Sequence, residues 1–394
     1  MKARSFAWVT LLAALIRTPE ALAQLLPAAA SATLHSQILG EDRTVFVALP
    51  ASYAWGSERY PVIYLTDATW NFAHTRSSAQ FLARNRMIPE VIIVGVTNPD
   101  RTRDLYATRA DFKHNGRTIR FPTSGKADAF LEFLGRELIP WVERSYRTSE
   151  LRILAGHSAG GTFALHAMRA KPDLFQAVIA ASPWLAWDEE KELRELIPFV
   201  STPNMRVRTL FLSHAHETAD MKPDVDALVT ALKQRSDSVV NWVAHEYSDE
   251  THDSDALKSY YDGLRMIFAG YSYRRDPTTN LLVGSLEDIK AYYAGLGRRL
   301  GVGFDPPEVI LNELGYRYLA ADSVQLAVAT FRLNANQHPE SANAWDSLGD
   351  GLARSGQRLE ALESYRKAVA LAERQRHPRL ETLRQHAARL ATPR

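Results

Sequence analysis

Short runs of consecutive apolar residues recur through the first 250 positions, at 44–49 (closed by Pro50), 60–66, 91–96, 151–156, 177–182, 209–213 and 241–247. Continuous rather than alternating hydrophobicity over so few residues predicts strands buried on both faces, as in a parallel sheet. Helix-period patterns lie between them. Residues 127–146 place Phe130, Phe133, Leu134, Leu138 and Trp141 on one side, and further helical patterns cover 162–169, 224–234 and 254–268. Strand–helix alternation predicts an α/β sheet with helices on both faces. Residues 24–34 are Ala-rich without clear periodicity and read as a linker or the first edge of this domain, which is expected to span 24–274.

From 275 to 394 the composition shifts to helix formers and a repeat emerges. Leu311, Leu314, Gly315, Tyr318, Ala327, Phe331 and Pro339 form one set; Trp345, Leu348, Gly349, Leu352, Ala361, Tyr365 and Ala368 form the next. Gly315 to Gly349, Ala327 to Ala361 and Phe331 to Tyr365 are each 34 residues apart. Small residues let two helices approach, and the aromatics fill the space between hairpins. This period and residue set resemble the tetratricopeptide repeat, with copies at about 308–341 and 342–375. The second copy has Glu373 in place of the final Pro. Two repeats bury little alone, so flanking helices at 285–300 and 379–390, or docking on the sheet domain, are expected to complete a small all-α unit.

Composition narrows the function classes. Lys+Arg total 47 against Asp+Glu 45, a net charge of +2, which gives no electrostatic reason to expect a nucleic-acid partner. The absence of cysteine excludes disulfides, thiolate catalysis and Cys-ligated zinc. No dinucleotide fingerprint, P-loop or H-E-x-x-H pattern occurs, and no organic cofactor or metal is expected. At the N-terminus, Lys2 and Arg4 precede the apolar run 5–16, then Pro19 and Ala21-Leu22-Ala23. That run is too short to span a bilayer comfortably and has the layout of a signal peptide. Cleavage after Ala23, at residues 1–23, predicts a periplasmic or secreted protein without a membrane span. Gln24 rather than Cys follows, so lipid attachment there is ruled out.

The chemistry concentrates at Gly156-His157-Ser158-Ala159-Gly160, a G-x-S-x-G between a buried-type strand and a helical pattern. That context is the nucleophile elbow, a tight turn that exposes the serine at the carboxyl end of the sheet. It nominates Ser158 as nucleophile and the Ala159 amide, at a helix N-terminus, as an oxyanion donor. In such folds the acid and then the base follow the serine. His252, in the loop after the last strand, is the expected base. His245 falls inside a strand pattern, and His214 and His216 precede the expected acid. For the acid, Glu217 is favoured and Asp220 is the alternative, since Asp224 and Asp226 sit where carboxylates cap a helix. The loop after the second strand, 67–71, is expected to supply the second oxyanion amide near Ala68. Trp70 and Phe72, with Trp184 and Trp187 after the fifth strand, are candidates to wall the substrate pocket, Trp70 and Trp184 foremost.

Several stretches together resemble the esterase family that includes esterase D and the siderophore esterases of the enterochelin type. They are Tyr64-Leu65-Thr66-Asp67, the segment from Val94 through Asn98-Pro99-Asp100-Arg101-Thr102-Arg103-Asp104, the elbow, Pro172-Asp173-Leu174-Phe175 and Thr251-His252-Asp253. The resemblance spans roughly 35–270 and implies an α/β-hydrolase serine esterase with no cofactor. It also implies Ser158 and His252 in the roles given above, and adds weight to Glu217. The chain departs from the pattern at Ala68, where Gly is frequent, and at Asp253, where a small residue is frequent. Arg101 and Arg103 are candidates for facing an anionic substrate or, more simply, for an Asp/Arg ion pair that fixes their loop.

The leading expectation is therefore an exported serine hydrolase acting on small-molecule esters: siderophore lactones, feruloyl or acetyl sugar esters, or small acyl esters. An acyltransferase is a variant in which an alcohol replaces water. The competing reading is an interaction module, with a degenerate hydrolase domain and repeats that bind a protein partner or a second copy. Intact Ser158 and His252 argue against it.

Overall fold

The computed structural model describes residues 29–114, 117–202, 205–215, 221–235 and 240–391; residues 1–23, expected to be a leader, and Glu217 and Asp220 lie outside them. An eight-stranded mixed sheet runs in the order β1-β2-β4-β3-β7-β8-β9-β10. Its strands are β1 (Ala30–Ser36), β2 (Glu41–Ala48), β3 (Tyr60–Leu65), β4 (Ile92–Val96), β7 (Thr148–His157), β8 (Ala177–Ala181), β9 (Thr209–Ala215) and β10 (Asn241–Tyr247). β1 and β2 are an antiparallel hairpin joined antiparallel to β4, and the six strands from β4 to β10 in the sheet order are parallel. A separate two-stranded ribbon, β5 (Phe112–His114) with β6 (Arg117–Ile119), lies outside the sheet.

The expected α/β class holds, and the burial pattern gives the reason. Every residue of β3, β4, β8 and β9 is buried, because helices cover both faces. On one face lie α1 (Ala68–Arg84) and α8 (Asp255–Ile267), whose Leu82, Tyr260, Leu264 and Ile267 pack on Ile63, Ile93, Ile153 and Ile179. The opposite face carries α3 (Ala127–Phe133), a π turn at Leu134–Leu138, α4 (Ile139–Ser145), α5 (Ala159–Ala170), α6 (Trp187–Val200) and α7 (Lys222–Lys233). A short helix, α2 (Arg101–Leu105), follows β4.

From Ala30 on, the stretch read as a linker or the first edge of the domain is β1, the half-exposed edge strand of the sheet. Two elements differ from or add to the sequence reading. The segment after β3 is not a loop: Ala68 is the first residue of a 17-residue helix. α6 opens on three residues with left-handed backbone, Asp188, Glu189 and Glu190.

Beyond α8 the chain is helical: α9 (Leu286–Leu300), α10 (Glu308–Ala320), α11 (Val324–Gln337), α12 (Ala342–Arg354), α13 (Arg358–Gln375) and α14 (Leu380–Ala391). Gly315 of α10 meets Phe331 of α11, and Gly349 of α12 meets Tyr365 of α13; a Cβ on either glycine would lie 2.3 or 2.6 Å from the ring. The first two helices of this tail pack into the core of the sheet domain. Ile289, Tyr293, Leu296, Leu300, Ile310 and Leu314 belong to the same buried cluster as Leu264, Ile267 and Phe268. Arg299 Nη1 donates to the Ile267 carbonyl at 3.1 Å, satisfying a free carbonyl at the end of α8. His338 Nδ1 lies 2.8 Å from Glu58 of the sheet domain. Among the described residues no helix is long and apolar enough to cross a membrane.

Candidate active site

β7 runs directly into α5 with one residue between them, Ser158, at φ 58° and ψ −122°. A non-glycine residue at positive φ is costly and persists only where the surroundings impose it. Here the Ser158 amide donates to the Ala181 carbonyl (2.9 Å), and the Ser158 carbonyl accepts from the Thr162 amide (3.0 Å). The glycines follow from the closeness of the turn. A Cβ on Gly156 would lie 2.1 Å from the Gly160 carbonyl oxygen, and one on Gly160 would lie 2.3 Å from Thr66 Oγ1. The sharp turn lifts the Ser158 side chain above the strand ends.

The side chain it meets comes from 94 residues away: His252 Nε2 lies 2.9 Å from Ser158 Oγ. With the serine hydroxyl donating, the imidazole is neutral and its proton is on Nδ1. His245, the rival histidine, lies on β10 with its ring against Tyr247.

Ala159 and Ala68 are the first residues of α5 and α1. First-turn amides have no partner within their own helix, so each offers an N–H. β3 and β7 are neighbours paired at Leu65 and Ala155, which sets the two helix N-termini side by side. The ground beneath Ala68 is built by a chain of charge. Arg43 of β2 is buried and holds Asp104 of α2 through two bonds, of 2.6 and 2.9 Å. Asp104 accepts from Asn98 Nδ2 (3.2 Å), and Asn98 Oδ1 accepts the Asp67 amide (3.0 Å). Asp67 adopts a left-handed conformation, and its carboxylate takes two bonds from Arg101, of 2.9 and 3.0 Å. Burial raises the Asp67 carboxyl above its ordinary value, against the pull of Arg101. Arg103 is tied to Glu41 and Asp104. Both arginines are therefore held in ion pairs.

The aromatic candidates divide. Trp70 is 65% exposed, with its ring over the Arg101 guanidinium at 5.1 Å. Trp184 is half-buried beside the backbone of Ser158: its amide donates to the Ser158 carbonyl (3.4 Å), its carbonyl accepts from Thr162 Oγ1 (2.8 Å), and its ring meets Phe112 edge-on. Phe72 and Trp187 are buried, the first against Phe46 and the second stacked on Tyr106 at 4.2 Å. The favoured acid Glu217 and its alternative Asp220 fall outside the described residues.

Two features here went unnoticed in the sequence. The Arg43–Asp104–Asn98 chain joins residues up to 61 positions apart. Asp255 is wholly buried, and its Oδ2 accepts from Ser182 (2.8 Å) and Ser259 (3.2 Å). Neither leaves a local signal. The nearest hint was the density of Asn, Asp and Arg at 98–104.

Strand order, elbow and the loop that brings His252 to Ser158 define an α/β-hydrolase. Comparison with known proteins gives the family. Residues 36–254 match the family model described as "Putative esterase". The chain is 30% identical over 237 residues to the ferri-bacillibactin esterase BesA of Bacillus subtilis, covering 54% of this chain and 81% of that one. It superposes on an IroE-like serine hydrolase from Shewanella oneidensis with a TM-score of 0.67 at 28% identity, over 78% of this chain and 99% of the other. An uncharacterised protein from Capnocytophaga ochracea matches the fold over 92% of this chain and 99% of its own (TM-score 0.59, 18% identity). The chain belongs to this esterase family and is an ester hydrolase.

Proposed function

We propose that the protein is an exported serine esterase that works through an acyl-enzyme on Ser158. The observation that carries this reading is the 2.9 Å contact between His252 Nε2 and Ser158 Oγ on a strained elbow. His252 takes the hydroxyl proton as Oγ bonds to the ester carbonyl carbon. Negative charge then collects on the carbonyl oxygen, within the field of two helix N-termini, and the amides of Ala159 and Ala68 are assigned to hold it. Collapse breaks the carbon–oxygen bond to the alcohol, which leaves with the proton from His252. Water, deprotonated by the same imidazole, releases the acid and restores Ser158. Glu217 is assigned to orient His252 and offset its charge in the two tetrahedral states.

For substrate we favour siderophore esters, on the strength of BesA, which is named for ferri-bacillibactin. Small acyl and feruloyl esters remain test substrates. Trp70 and Trp184 are assigned to the pocket walls. We further assign residues 1–23 as a cleaved leader and the helical tail as a tetratricopeptide-like unit.

Initial rates on p-nitrophenyl acetate, butyrate and octanoate, and on ferri-bacillibactin, test this beside Ser158→Ala. Turnover lost in a folded Ser158→Ala protein supports the reading. Undiminished turnover in that variant refutes it. Mass spectrometry of the exported protein checks for a start at Gln24.

A further inference from the structure

His157 occupies the variable position of the elbow, next to the nucleophile. Its ring does not point toward Ser158 Oγ. It reaches across to the base loop, where His157 Nε2–H donates to the main-chain carbonyl of His252 at 2.6 Å. Asp255 lies on the same side of the ring, with Oδ1 3.4 Å from that nitrogen, a charge contact and not a second hydrogen bond. The two histidine rings stand 4.9 Å apart at 44°.

Asp255 is itself pinned. Its Oδ2 accepts from Ser182 Oγ, just beyond β8, from Ser213 Oγ of β9 (3.4 Å), and from Ser259 Oγ one turn along α8. Ser182 Oγ in turn accepts the Ala215 amide (3.2 Å). One buried carboxylate therefore ties the ends of β8 and β9 to the start of α8, and His157 adds the end of β7. The base loop has a different character: Thr251, Asp253 and Ser254 are exposed around His252. The turn bonds from the amides of Ser254 and Asp255 to the Thr251 carbonyl shape the loop locally. They do not fix it to the strand that carries the nucleophile. The bond from His157 does so directly.

We propose that His157, beside the buried Asp255 carboxylate, is a positioning residue that sets the His252 imidazole over Ser158 by holding the main chain of the base. This rests on the serine esterase reading and adds to it. Nucleophile and base are then placed by adjacent residues of one rigid turn, so their separation is buffered against motion of the exposed loop.

The test compares two amides of different reach. In His157→Gln the terminal NH2 reaches the position of Nε2 and can donate to the His252 carbonyl; in His157→Asn it falls short. Both keep a polar group in the site. kcat and KM on p-nitrophenyl butyrate, the rate of Ser158 labelling by a fluorophosphonate, and thermal unfolding are measured for both, with Ser158→Ala as the reference. The expected result is a fall in kcat of about 10- to 100-fold for His157→Asn, the scale of a misplaced catalytic group, with KM changed less than about twofold. Labelling should slow in parallel, and His157→Gln should recover most of the loss. Equal activity of the two folded variants, or a defect that follows the melting temperature and not the reach of the amide, overturns the proposal. If Ser158→Ala is inactive in that case, the serine esterase reading survives it; if Ser158→Ala is active, that reading falls first.

Discussion

Replacing Gly156 with alanine asks how much of the activity is held in the tightness of the elbow. The added Cβ would lie 2.1 Å from the Gly160 carbonyl oxygen and 2.3 Å from its carbon. Comfortable contact needs about 3.5 Å, so the two ends of the turn must part by roughly 1.4 Å. Neither partner is a side chain that can swing aside, and Ser158 lies between them. A comparable shift of Oγ would stretch its 2.9 Å contact with His252 Nε2 beyond hydrogen-bonding range. Displacement on that scale costs about 100-fold in kcat, and overpacking costs about 1–3 kcal/mol of stability. Gly135 supplies the control. A Cβ there meets Leu174 at 3.5 Å, an ordinary contact, within a helical stretch. Gly135→Ala should leave kcat unchanged and stabilise by up to about 1 kcal/mol. The assay is steady-state turnover of p-nitrophenyl butyrate with denaturant unfolding of both variants. A Gly156→Ala protein that keeps kcat within threefold, while Ser158→Ala is inactive, refutes the argument that backbone closeness fixes the nucleophile.

Three further outcomes follow from the packing. Arg43→Met removes the buried partner of Asp104 and should cost about 3 kcal/mol, the low end for a broken buried pair because Arg103 still bonds that carboxylate; urea unfolding measures it. Burial alone would lower the pKa of His338, but its hydrogen bond and charge contact with Glu58 win and raise it. A histidine raised in the folded state contributes stability below its unfolded value of about 6.5 and loses it as pH climbs through the folded value. Wild-type melting temperature should therefore drop from pH 6 to 8 by more than that of His338→Gln, and equal slopes count against the pair. Gly315→Ala pushes a Cβ to 2.3 Å from the Phe331 ring and should destabilise by about 1–3 kcal/mol, read by thermal unfolding.

The buried strands were legible because helices cover both faces, which writes β3, β4, β8 and β9 as unbroken apolar runs. β1 was not. Its residues alternate between exposed and half-buried, and alanine carries little signal either way. α1 escaped for a related reason. Its buried stripe, Ala68, Asn71, Phe72, Thr75, Ser78, Ala79 and Leu82, keeps helical spacing but is mostly small or polar, so hydrophobic periodicity is faint. α6 is hidden by its left-handed opening and by Pro198 inside it. At the site, the elbow could be read locally because one turn dictates its own small residues. The support beneath Asp67 could not, because Arg43, Asp104 and Asn98 meet only when separate strands pair. His157 was visible as a neighbour of Ser158, but its bond to His252 depends on the fold.

The helix α8 joins the two compositions of the chain. It has 13 residues, a strut of about 20 Å. The footing of the base loop is at one end, and Arg299 of the tail clasps the other. What looks along the chain like a border between a catalytic half and an appended half is, mechanically, the middle of one lever. A cut near residue 275 would strip the far bearing from the element on which His252 rests. On the proposed reading, the appendage is thus part of the mounting of the Ser158–His252 pair.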